Sequence, residues 1–94
     1  VYLMISTYRV PLEQVDEARA DHLAFLGGLE ADGLLVSAGR QDPPAGGVVL
    51  LAVDSEARAR EVMAADPYVT GDLATYQAIG WTPARGALVN WTAG

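Results

Sequence analysis

The sequence predicts an α+β fold: a four-stranded antiparallel sheet with both helices on one face, in the β-α-β-β-α-β order of the ferredoxin-like, or split-βαβ, plan. Three observations carry this. Val1–Tyr8 is β-branched and aromatic and leads into a helical pattern. A Pro- and Gly-rich turn precedes a continuous apolar run over residues 48–53. A second helical stretch then ends at an Asp-Pro step ahead of a last strand. Short connections in this order predict strand order 4-1-3-2.

Each element has its own reason. The first strand alternates in part, with Leu3, Ile5 and Thr7 on one face and Tyr2, Met4, Ser6 and Tyr8 on the other. Pro11 can open a helix, where its missing N–H is an orphan in any case. Glu13, Asp16 and Glu17 suit the positive end of that helix, and Gly33 is a stop signal. Val15, Ala18, Leu26 and Leu29 recur at helical spacing, so one helix is expected to run through Gly27-Gly28. Leu34 to Ala38 is the second strand and "GRQDPPAGG" a turn. Asp54 or Ser55 caps a helix over roughly 55–65, with Ala59, Val62 and Met63 as its apolar face. "YVTGD" is a turn or a short helical turn, and Leu73 to Trp81 is the last strand. The chain, residues 1–94, reads as one domain, with a core over about 2–81 and a tail over 82–94. Trp81 and Trp91 are expected to bury area near the C-terminal end or at a subunit contact.

Helices on one face leave the other face of the sheet open. That face is expected to carry Tyr2, Met4 and Tyr8, and a second copy of the chain is the economical cover, which predicts a homodimer.

Composition removes whole classes of function. Net charge is −6 and all six basic residues are arginine, so the chain is expected to repel nucleic-acid phosphate backbones and anionic membrane surfaces and to take neither as a partner. Without lysine there is neither Schiff-base chemistry nor a P-loop. Without cysteine there is no disulfide framework and no thiolate nucleophile, which suits a cytoplasmic location. No apolar run approaches the roughly 20 residues of a membrane span. Val1-Tyr2-Leu3-Met4-Ile5 reads as strand and not as a signal peptide.

The one histidine, His22, is the residue on which function turns. On a wheel with Val15 at zero it falls near about −20°, between Leu26 at about +20° and Leu29 at about −40°. It is either a buried ring satisfied by ordinary hydrogen bonds or the reactive group of a pocket. No carboxylate shares its helix face, so no metal site is expected. Asp66 ends the second helix on its inward side. It is either part of an Asp-Pro turn or the partner that fixes the tautomer of His22. The lesser candidates are Ser37, Tyr8, Tyr68 and Arg40, each with a packing or solvated alternative, and Arg19, which flanks the histidine stripe. No nucleophile elbow is present.

Three motifs then take on a family look in this order and spacing: Arg19-x-x-His22-Leu23, Ser37-Ala38-Gly39, and Asp66-Pro67-Tyr68. With them the chain resembles the YciI-like, or YCII-related, family from Tyr2 to about Trp81. Where many members carry proline after the strand-two glycine, this chain has Arg40. The resemblance implies a ferredoxin-like domain that dimerises into an α+β barrel, with His22 and Asp66 as the catalytic pair. One branch of that family resembles a dehydrochlorinase of a chlorinated hydroxyquinol, and related barrels include muconolactone isomerases and cofactor-free monooxygenases. The expectation is a small cofactor-independent enzyme of the lyase or isomerase type. His22 would be base or acid and Asp66 its orienting partner. Ser37, Tyr68, Arg19, Tyr8 and Arg40 would contact a small aromatic or enolisable substrate. The competing expectation is a small-ligand-binding or structural dimeric module, since fold likeness does not transfer a reaction.

Overall fold

A computed structural model describes residues 1–89. The elements are β1 (Tyr2–Tyr8), α1 (Leu12–Glu17), α2 (Arg19–Ala31), β2 (Leu35–Arg40), β3 (Gly47–Leu51), α3 (Glu56–Met63), α4 (Pro67–Thr70) and β4 (Ala74–Gly80). The four strands form one antiparallel sheet in the order β2-β3-β1-β4, the 4-1-3-2 order expected. Val1 and Trp81 exchange backbone hydrogen bonds of 3.1 Å, which carries the β1–β4 ladder one residue further. This is the ferredoxin-like α+β architecture.

The two faces of β1 are the reverse of the expected assignment. Met4 has no exposed surface and packs with Leu26, Leu29, Val62 and Met63 under the helices. Tyr2, Met4, Ser6 and Tyr8 therefore face the helices, so a second copy cannot be seated on them. Leu3 and Ile5 lie on the open face with their register partners Leu50, Val48 and Ile79. Alternation divides a strand into two faces but does not say which one is covered. Here the more polar face is the covered one, and Ser6 and Tyr8 find partners on it, at Gly47 and Arg40. Ser6 Oγ accepts the Gly47 N–H at 2.7 Å.

The first helical stretch is also two helices and not one. The chain breaks at Ala18 (φ −99°, ψ 1°), which caps α1 and opens α2. The break lets Val15 pack into a small cluster with Tyr68 and Ala74, while Leu26 and Leu29 fill the main core. A continuous helix would have to serve both clusters with one straight stripe. From there α2 does run through Gly27 and Gly28, both exposed.

Downstream, Ser55 Oγ accepts the Arg58 N–H at 3.1 Å and caps α3. Asp66 follows α3 in an extended conformation (ψ 128°), as a residue before proline should. It is the N-cap of α4, with Pro67 in the first turn. Its carboxylate thus faces a positive helix end and not the unfavourable negative end that the sequence suggests. Trp81 keeps 40% of its surface exposed and buries less than expected. Trp91 lies outside the described residues. Among the described residues, no helix is long and apolar enough to cross a membrane.

Candidate active site

Asp66 has no exposed surface, and each of its oxygens is used. His22 Nδ1 donates to Oδ1 at 2.8 Å, the Tyr68 backbone N–H donates to the same oxygen at 3.0 Å, and the Tyr76 hydroxyl donates to Oδ2 at 2.8 Å. A buried carboxylate needs such donors, because an unpaired one is costly to desolvate. The N-cap geometry supplies one of them without any special side chain. Tyr76 is a partner that sequence reasoning missed. Its signal was the alternation Ala74, Tyr76, Ala78 along β4, which sets it on the helix side of the sheet.

With Nδ1 engaged, Nε2 is the nitrogen of His22 left for a ligand. The imidazole side chain is 12% exposed and forms part of the wall of an open cavity of about 70 Å³. Tyr68 lies flat on the ring, with centroids 3.9 Å apart and planes 5° apart. Tyr8 meets Tyr68 edge to face at 6.1 Å. Arg40 Nε donates to the Tyr8 hydroxyl at 3.2 Å, and Arg40 Nη2 donates to Asp16 Oδ1 at 2.5 Å. Arg19 stands at the same wall. His22, Asp66, Tyr68, Tyr8, Arg40 and Arg19 are thus brought together from α2, α4, β1 and β2.

Ser37 is not among them. It is exposed on the open face of the sheet, opposite Leu50. The cause is a register shift between Leu35 and Ser37. Plain alternation from Leu35, which faces the helices beside Leu51, would have turned Ser37 inward. One extra residue in the strand reverses the phase, turns Ser37 out and brings Ala38 and Arg40 in. The serine that does line the cavity from the sheet is Ser6. It too was missed as a site residue.

The electrostatics follow from burial. The Tyr76 phenol is held well above its ordinary value, by burial first and then by the neighbouring Asp66 charge and hydrogen bond. Burial also raises the Tyr68 phenol, with Tyr8 adding to the effect. The bond to Asp16 holds Arg40 more firmly cationic. Among the described residues, no three His, Cys, Asp or Glu side chains converge where a metal ion could sit.

Chemically, the arrangement offers a tautomer-locked imidazole at a small cavity with a phenol and a guanidinium nearby. The fold is similar to that of 5-chloro-2-hydroxyhydroquinone dehydrochlorinase from Burkholderia phenoliruptrix AC1100, solved in complex with 2,5-dihydroxybenzoquinone. The TM-score is 0.70 at 21% identity, over 85% of this chain and 91% of that one. No curated protein sequence matches the chain. The YCII-related domain matches residues 1–82, nearly the whole described chain, and the protein belongs to the YCII-related family.

Proposed function

We propose that the protein is a small cofactor-independent acid–base enzyme in which His22 moves the proton and Asp66 orients it. The observation that carries this is the 2.8 Å bond from His22 Nδ1 to a fully buried carboxylate, at a wall open to a ligand. That bond leaves Nε2 as the base and gives the imidazolium formed on proton transfer a negative partner. The reaction that fits is removal of a proton next to a carbonyl or phenol, followed by isomerisation or by loss of a leaving group. In an elimination, His22 takes the proton, the C–H electron pair forms the new double bond, and the leaving group departs as its anion. The name of the similar dehydrochlorinase is consistent with that last variant.

The test is turnover on a panel of catechols, chlorinated hydroxyquinols and lactones, with wild type, His22→Asn and Asp66→Asn. Wild type should turn over at least one class, and the histidine variant should lose about 10²–10⁴-fold in rate. Binding without turnover anywhere on the panel would replace the enzyme reading with a ligand-binding module.

The same reading takes the chain to be a homodimer, paired through the open sheet face that bears Leu3, Ile5, Val48 and Leu50. Helices cover only the opposite face, and an uncovered apolar sheet face of this kind is unfavourable in water. A cytoplasmic setting suits a chain without cysteine.

A further inference from the structure

The charges around the His22 cavity run against those of the chain. The protein carries 12 acidic and six basic residues, yet among the described residues the cavity wall holds two arginines, Arg19 and Arg40, and no Asp or Glu. The carboxylates bonded to its lining residues, Asp66 and Asp16, are already committed. Asp66 is fully buried behind His22 and Tyr76, and Asp16 holds Arg40 from its exposed side. Arg40 has five N–H donors and spends one on Tyr8 and one on Asp16, so donors remain for a ligand. The Tyr8 hydroxyl accepts from Arg40, which leaves its own proton to donate and strengthens it as a donor. The strand irregularity that turned Ser37 away is what aims Arg40 inward.

From this we infer that the cavity selects small planar oxyanions, carboxylates or phenolates, and that Arg40 and Tyr8 bind the anionic oxygen while His22 faces the carbon skeleton. The inference deepens the acid–base reading of the same site and rests on it for the role of His22, but the anion preference itself does not require turnover. Arg40 is the specificity residue. Asp16 positions it, and Arg19 adds positive charge at the mouth.

The experiment uses matched probes: benzoate against benzamide for the carboxylate arm, and 4-nitrophenolate against 4-nitroanisole for the phenolate arm. Binding to the full chain is followed by NMR shifts of the His22 imidazole and the Tyr8 ring. Wild type should bind at least one anion about tenfold or more tighter than its neutral partner, the size of a charged hydrogen bond. The arm with the larger ratio identifies the source of the oxyanion. Arg40→Gln should reduce the ratio to near one, and Arg40→Lys should restore part of it. His22→Asn should keep the ratio while abolishing any turnover, so a failed acid–base reading leaves this result standing. Equal affinities within both pairs, binding of no probe at tens of millimolar, or shifts that leave His22 and Tyr8 unmoved would each overturn the inference. A ratio lost in His22→Asn but kept in Arg40→Gln would overturn it as well. If Arg40→Gln fails to fold, the wild-type ratio and Arg40→Lys still decide.

Discussion

Tyr68 lies face to face with His22, 3.9 Å between centroids and 5° between planes, and both answer to one carboxylate. Asp66 accepts the ring N–H of one and the backbone N–H of the other. It thereby seats the imidazole and starts the helix turn that carries the stacking phenol. Asp66→Ala should then cost about 0.5–2 kcal/mol for the cap and about 1–3 kcal/mol for each donor left unpaired. Asp66→Asn should cost much less, since asparagine caps as well as aspartate and the Tyr76 hydroxyl can turn to accept from the amide. Urea denaturation of both variants checks this. Equal losses would mean that the carboxylate holds nothing beyond its own volume.

The tautomer of His22 is a second expected outcome. A carboxylate accepts and does not donate, so the neutral imidazole should carry its proton on Nδ1. Long-range proton–nitrogen NMR on this single histidine should report that form in wild type and a mixture in Asp66→Ala. A dominant Nε2–H form in wild type would contradict the hydrogen bond.

Alkaline pH should weaken the protein through Tyr76. Its phenol is raised above the ordinary value of 10.0, so above about pH 10 the unfolded chain loses a proton that the native state keeps. The unfolded state then binds fewer protons, and stability falls as pH rises from there toward the folded-state value. Tyr68, also raised, acts in the same direction. Tyr76→Phe should be less stable at neutral pH, because Asp66 Oδ2 loses its donor, but should show a shallower decline between pH 9 and 11. Denaturation midpoints across that range give the comparison.

Gly27 and Gly28 are exposed in the middle of α2, and a Cβ built at either meets nothing within 4 Å. Alanine at each should stabilise the domain by about 0.5–1 kcal/mol. Gly46 is the opposite case, since an added Cβ would sit 1.8 Å from the Ser6 backbone oxygen. Gly46→Ala should therefore be strongly destabilising. Thermal melts of the three variants set the signs, and a destabilising Gly27→Ala would point to an unseen neighbour at that helix face.

Leu50 tests the second copy. It sits on the central strand β3 with Leu3 and Ser37 as open-face partners. Light scattering at micromolar concentration should give a dimer mass for wild type and a monomer mass for Leu50→Arg. A monomeric wild type would remove the proposed dimer.

What the sequence by itself determined is the part that rests on local chemistry and order. Eight residues of mixed strand pattern, a proline-led helix, an apolar run and an Asp-Pro stop were enough for the element order. The order with short connections was enough for the sheet. The placement of His22 among Leu26 and Leu29 needed only the helical period. What only the tertiary structure decided is direction. Which face of β1 the helices cover depends on whether Ser6 and Tyr8 find partners far along the chain, at Gly47 and Arg40. Whether Ser37 or Arg40 looks into the site depends on one extra residue in β2, which reverses the alternation and has no marker in "LLVSAGR". Whether Asp66 ends one helix or begins the next depends on the turn of chain that follows it. Periodicity fixes spacing along an element. The sign of each face is set by long-range pairing, and the residues that decide it lie dozens of positions away.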